Sequence, residues 1–157
     1  LDRTIAALVE DRRGEGRALE AILATRIDTI ANLADAADAC PARQPEAVKA
    51  RLAAQIAVLL DASSSLDPNR LHQEAVLLAS KADIREEIDR LRAHVGAARE
   101  LMAKGGPIGR RLDFLVQEMN REANTIASKA SWMESAELVV EMKAEIERIR
   151  EQVQNVE

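Results

Sequence analysis

The 157-residue sequence is 47% hydrophobic and 31% charged, carries a formal net charge of −5 and is only 1% aromatic. Charge of that sign repels nucleic acid and anionic membranes in bulk, and one Phe, one Trp and no Tyr give no aromatic platform for stacking bases. The single Cys40 forms no internal disulfide and no apolar run approaches membrane-spanning length, so a reduced, cytoplasmic setting is the expectation.

Ala, Leu, Ile, Val, Glu and Arg dominate, the composition of long packed helices, in a chain long enough for one helical domain over residues 1–157. The N-terminus shows no signal-peptide pattern. It lacks an initiator Met and starts inside a helical pattern, LDRTIAALVE, so the chain reads as a fragment.

The first predicted helix runs from Asp2 to Asp38, with Ile5, Leu8, Leu19, Ile22, Leu23, Ile27, Ile30 and Leu33 at helical spacing. Gly14 and Gly16 weaken it by about 1 kcal/mol each relative to Ala and mark either a kink or a close approach by another chain. Pro41 and Pro45 in CPARQP end it. A second helix covers Glu46 to Ala62, and SSSLDPN forms a loop. The third is predicted as one helix from Arg70 to Ala103, with a coiled-coil-like seam of Ile84, Ile88, Leu91, Val95, Ala98 and Met102. KGGPIG breaks the chain, and the fourth helix runs from Gly109 to Ala130. The fifth spans Glu134 to Asn155, seamed by Val139, Met142, Ile146, Ile149, Val153 and Val156. Nothing reads as a strand. The fold expected is all-α: an elongated bundle of about five helices built from antiparallel hairpins. Seams on the third and fifth helices that one chain leaves open would drive self-association.

Two polar lines stand out. On the fourth helix, Asp113, Gln117, Asn120 and Asn124 fall within about 60° of each other, opposite the apolar side, with Arg121 at their border. Asparagine is a poor helix former, so a purely solvated face gains nothing from it; a network between helices or a sugar–phosphate contact would. Glu118 and Glu122 form an i, i+4 pair at the far edge, with Lys129 near the same line. Both glutamates have an arginine within helical reach, so a salt-bridged surface explains them equally well. On the third helix, Asp83, Glu87, Arg90 and His94 follow each other at spacings of four, three and four, along the edge of the seam. Carboxylates, a guanidinium and an imidazole together can hold a metal, grip a phosphate and move a proton. The same spacing also occurs on ordinary charged helices. Glu74 points almost opposite to Glu87 on a straight helix, and His72 reads as a surface histidine. There is no Gly-rich phosphate loop, CxxC, HExxH or nucleophile elbow.

The stretches NRLHQEAVLLASKADIREEIDRLRAHV, GRRLDFLVQEMNREANTIASKA and VVEMKAEIERIREQVQNVE resemble the C-terminal region of the YicC/YloC-like endoribonucleases. The resemblance covers nearly the whole chain, and Glu15, Gly16 and Leu19 fit the start of that region. Complete family members carry a further N-terminal domain with a Ser-Met-Thr-Gly-Phe-like opening, to which nothing here corresponds. The resemblance implies a bacterial cytoplasmic enzyme that cleaves RNA internally with a divalent metal, Mg²⁺ or Mn²⁺, as a homo-oligomer, a hexamer in the family. No membrane or DNA partner is expected. Glu74 sits in the family's QE; Asp83, Glu87, Arg90 and His94 match its DI-EE-RL-H pattern. Gln117, Glu118, Asn120, Arg121, Glu122, Asn124 and Lys129 match QE-NRE-NT-SK. The roles that follow give Asp83, Glu87, Glu118 and Glu122 to a metal, with Glu87, Glu118 and Glu122 also catalytic. His94 would be general acid or base. Arg90, Arg121, Lys129, Gln117, Asn120 and Asn124 would hold RNA and its phosphates. The alternative is a non-catalytic, RNA-enclosing assembly module. Substitution of Glu87 or His94 is expected to impair cleavage with little change in stability, since neither belongs to the apolar seam.

Overall fold

A computed structural model describes residues 2–41, 45–62, 69, 73, 76, 83–129 and 133–154. Every regular element among them is helical. α1 spans Asp2–Asp38, α2 Pro45–Ala62, α3 Arg85–Lys104, α4 Gly109–Lys129 and α5 Met133–Val153. Glu74, His72 and Val156 lie outside the described residues.

Four of these helices close a ring. α1 packs on α3, α3 on α4, α4 on α5 and α5 back on α1, while α2 is not part of it. The shared core is aliphatic, as one Phe and one Trp require. Ile27 and Ile30 of α1, Ile88 and Leu91 of α3, Leu112, Met119 and Ile126 of α4, and Met142, Ile146 and Ile149 of α5 are all fully buried. Burial of each such side chain stabilises the fold by about 1.5–3 kcal/mol. The one Phe, Phe114, is 60% exposed and takes no part.

The α3–α4 hairpin follows from its breaker. Gly105 and Gly106 take φ of 64° and 80°, a left-handed conformation that glycine adopts without strain. The Gly105 N–H donates to the Met102 carbonyl at 3.1 Å and closes α3. The Ile108 carbonyl then accepts from Arg111 and Leu112 and starts α4. Glu86 and Glu87 in the first turn of α3 and Lys104 in its last turn complement the helix dipole.

Two expectations are corrected. The third helix is not continuous from Arg70: Asp83 and Ile84 are non-helical and α3 begins at Arg85. Asp83 makes the break locally, its Oδ1 accepting the Arg85 N–H at 2.9 Å. The seams of the third and fifth helices are not open either. Ile84, Ile88, Leu91, Val95, Ala98 and Met102, and Val139, Met142, Ile146, Ile149 and Val153, are buried inside this one chain. Among the described residues, α1 carries an open seam. At ~1.5 Å per residue its 37 residues reach about 55 Å, against about 30 Å for α3, α4 and α5. Residues 3–18 of α1 are exposed throughout.

Ion pairs set the alignment. Arg99 meets Asp28 at 2.5 Å, and Arg92 meets Asp35 at 2.7 Å and Asp38 at 3.1 Å, so α1 and α3 run antiparallel. These pairs are exposed and add only ~0–1 kcal/mol each. The α1–α5 contact holds a buried carboxylate, Glu145, between Arg26 (2.8 Å) and Arg148.

Candidate functional site along the α3–α4 edge

The two polar lines of the sequence do not meet. At 100° per residue, Glu118, Glu122 and Lys129 occupy one edge of the buried stripe of α4 and Asp113, Gln117, Asn120 and Asn124 the other. Only the first edge faces α3.

There the contacts interlock. Lys129 Nζ donates to Glu87 Oε1 at 2.8 Å and to the Asp83 carbonyl at 3.1 Å. Two turns away, Arg90 Nη1 lies 3.8 Å from Glu122 Oε1, while its Nη2 donates to Glu86 at 2.5 Å. The antiparallel register these pairs define sets half-buried His94 level with half-buried Glu118, which pairs with Arg121 at 3.5 Å. Asp83, Glu87, Arg90 and His94 therefore border Glu118, Glu122 and Lys129 along one strip. Asp83 takes part through its backbone carbonyl, because its carboxylate is engaged at the helix start.

Burial divides the strip. Glu87 is 8% exposed and Glu122 4%. Glu87 Oε2 is buried without a hydrogen-bond partner among the described residues. Arg90 keeps 59% of its side chain exposed and Arg121 73%. The strip thus has an acidic floor and a cationic rim. Burial of Glu87 argues against the expectation that replacing it changes stability little.

The donor set does not make a metal centre within one chain. Among the described residues no three His, Cys, Asp or Glu side chains converge as a metal site requires. Glu87 is matched by Lys129 and Glu122 by Arg90, so the assignment of Asp83, Glu87, Glu118 and Glu122 as a joint ligand set finds no converging geometry here.

The carboxamide line forms a ladder along its own helix. Gln117 Nε2 donates to Asp113 Oδ2 at 2.7 Å, and Asn124 Nδ2 to Asn120 Oδ1 at 3.4 Å. Asp113 and Asn120 are half-buried; Gln117 and Asn124 are exposed. With Arg121, Thr125 and Ser128, Gln117, Asn120 and Asn124 line a shallow open depression. The expected bonding to a neighbouring helix is therefore replaced, among the described residues, by i, i+4 pairs.

Sequence reasoning missed the triad Arg26–Glu145–Arg148, in which the carboxylate is buried and Arg148 is exposed. Burial alone would push the Glu145 carboxyl up, but hydrogen bonds and charge from Arg26 and Arg148 hold it below its usual range. Its sequence signal was slight: one glutamate inside the apolar seam of the fifth helix.

The family model for the C-terminal domain of YicC-like endoribonucleases matches residues 37–157. The chain is 41% identical, over all 157 residues, to a probable endoribonuclease YicC of Clostridioides difficile (strain 630), and covers 54% of that protein. To a probable endoribonuclease YicC of Haemophilus influenzae (strain ATCC 51907 / DSM 11121 / KW20 / Rd) it is 38% identical over 99% of the chain, covering 53% of the relative. The chain spans about half the length of the curated relatives it matches.

Proposed function

The chain belongs to the YicC-like endoribonuclease family, and from that premise we propose that it is the helical part of an RNA-cleaving enzyme, with the α3–α4 edge as its working strip. The observation that carries this reading is the meeting of Arg90 with Glu122 and Lys129 with Glu87, in register with His94 and Glu118. Such a strip offers cations to a phosphodiester and proton carriers beside them.

In this reading Arg90 and Arg121, both well exposed, turn toward the phosphate and stabilise the charge that develops on it. His94 takes or delivers the proton, with Glu118 as its counterpart. Asn120, Asn124 and Gln117 hold the adjoining sugar–phosphate backbone in their depression. Lys129 holds Glu87 in place and is the third cation of the strip. Attack by the ribose 2′-hydroxyl would form a 2′,3′-cyclic phosphate and release the 5′-oxygen with a proton. Attack by water would leave no cyclic end. Mg²⁺ or Mn²⁺ would supply Lewis-acid charge. It would need oxygen ligands beyond those one chain brings together, from a second copy or from the RNA. The net charge of −5 leaves most of the RNA grip to local cations and to the remainder of a longer protein. Assembly as a homo-oligomer around RNA, a hexamer by family resemblance, and a cytoplasmic setting belong to the same proposal. No helix among the described residues is long and apolar enough to cross a membrane.

The test is cleavage of a single-stranded RNA by this chain and by the longer protein, with and without EDTA, with product ends analysed. His94→Ala should abolish most of the activity. A second reading, a non-catalytic assembly module, is favoured by the closed Glu87–Lys129 pair. It predicts that the longer protein keeps full activity with His94→Ala.

A further inference from the structure

We infer that the depression along the carboxamide line of α4 selects RNA over DNA by accepting a hydrogen bond from the ribose 2′-hydroxyl, with Thr125, Ser128 and Gln117 as the accepting side chains. The inference rests on the proposed function and gives its sugar–phosphate contact a chemical preference.

The protons of these side chains are already committed. Thr125 Oγ1 donates to the Arg121 carbonyl at 3.1 Å, and Ser128 Oγ donates to the Thr125 carbonyl at 2.8 Å. A carbonyl only accepts, so each hydroxyl proton stays with the helix and only lone pairs are left for a ligand. Gln117 Nε2 donates to Asp113 Oδ2 at 2.7 Å. A carboxylate also only accepts, which fixes the amide and leaves its Oε1 as an acceptor. Three of the residues lining the depression therefore call for a donor. A phosphodiester has none to give, since its oxygens accept.

Charge points the same way. Of the lining residues Gln117, Asn120, Arg121, Asn124, Thr125 and Ser128, only Arg121 is charged. One guanidinium suits one phosphate, and the neutral polar remainder suits a sugar. The 2′-hydroxyl both donates and accepts, and DNA lacks it. It can donate to Thr125 or Ser128 while accepting from a carboxamide N–H, which neither a phosphate oxygen nor a deoxyribose can do. A base edge could supply a donor too. No aromatic side chain lines the depression, however, so a base there would have nothing to stack on; Phe114 stands outside it. From Gln117 to Ser128 the helix rises about 16 Å, room for more than one nucleotide. Arg121 also pairs with Glu118 at 3.5 Å, so a phosphate at Arg121 lies beside the working strip and the ribose next to it falls in the depression.

The test is fluorescence anisotropy of the longer protein with labelled single-stranded probes of one sequence, in EDTA, each probe verified intact on a gel. The probes are RNA, 2′-fluoro RNA and DNA carrying deoxyuridine, which keeps every base edge and loses only the hydroxyl. RNA should bind at least about tenfold more tightly than either of the others, the worth of one or two hydrogen bonds. Thr125→Val and Ser128→Ala should each weaken RNA binding about three- to tenfold and leave DNA binding and the thermal melt unchanged. Arg121→Ala should weaken RNA and DNA alike, because both carry the phosphate. Equal affinity of the parent for RNA and the deoxyuridine DNA overturns the inference. So do Thr125→Val and Ser128→Ala variants that weaken both probes alike, or neither; if Arg121→Ala still acts, the depression remains a phosphate contact and the proposed function stands. Arg121→Ala without effect on any probe removes RNA from the depression and overturns the proposed contact as well.

Discussion

Replacing Lys129 by Met should destabilise the fold by stranding the Glu87 carboxylate at the α3–α4 edge. Lys129 Nζ holds Glu87 Oε1 at 2.8 Å and caps the Asp83 carbonyl at 3.1 Å. Glu87 is 8% exposed and its second oxygen already lacks a partner among the described residues. Without the ammonium, a buried carboxylate stands alone. Breaking such a pair costs about 3–5 kcal/mol when both partners are fully buried. The Lys129 side chain keeps 29% of its exposure, so solvent recovers part of this and about 2–3 kcal/mol is expected. For a chain of this size each kcal/mol lowers the melting temperature by ~2–4 °C. Thermal melts at pH 7 should therefore show a fall of about 5–10 °C. Glu87→Gln with Lys129 intact should cost about 1 kcal/mol, since the amide oxygen still accepts. The double variant Glu87→Met, Lys129→Met should recover most of the loss, because two apolar side chains leave no charge behind. A Lys129→Met variant within about 0.5 kcal/mol of the parent would refute the reasoning and place the pair in effective solvent contact.

Glu145 should make the fold acid-sensitive. Its folded carboxyl sits below the ordinary value, so its stabilisation is complete above that value and is lost as pH falls through the folded one. Glu145→Gln should therefore narrow the gap in melting temperature between pH 7 and about pH 3, read by thermal melts. His94→Ala in the longer protein should lower RNA cleavage at least about tenfold, ~1.4 kcal/mol of barrier, with an unchanged melting temperature, read by steady-state kinetics. Asn120→Ala and Asn124→Ala should leave stability unchanged or raise it by a few tenths of a kcal/mol, because helix propensity outweighs a 3.4 Å hydrogen bond. If their depression binds RNA, both should weaken RNA affinity, measured by fluorescence anisotropy.

The helices were legible because apolar spacing and breakers agree. Gly105, Gly106 and Pro107 stop α3 by backbone conformation, and Leu112, Val116, Met119, Ala123 and Ile126 mark one side of α4 without ambiguity. The start of α3 was not. DIREEIDRLRAH keeps helical spacing through Asp83, and periodicity cannot see a side chain turning back to accept its neighbour's N–H. Nor does spacing say which seam finds a partner. The three–four pattern reads alike on α3, where the chain closes it, and on the first turns of α1, where it does not. Only relative helix length separates them, and length acquires that meaning once the ring of four is known.

The candidate site was legible as two lines and illegible as a pairing. Helical angle alone placed Glu118, Glu122 and Lys129 on one edge of α4 and the carboxamides on another. Which edge α3 would approach depends on the hand of the hairpin, and that is set by the Gly105–Gly106 turn and the core beneath it. Once α3 takes the glutamate edge, the consequences are forced. Lys129 and Arg90 must lie where buried carboxylates need them, because Glu87 and Glu122 cannot enter an aliphatic interface uncompensated. On the edge away from α3, the carboxamides bond along their own helix, Gln117 to Asp113 and Asn124 to Asn120. Glutamine and asparagine are suited to that position whichever neighbour arrives. Asn120 and Asn124 satisfy one another at i, i+4, and can exchange that bond for a phosphate or a second helix without leaving a charge unpaired. A row of Glu and Lys would propagate the helix better, yet its ion pairs would have to be broken before any new partner could be bound.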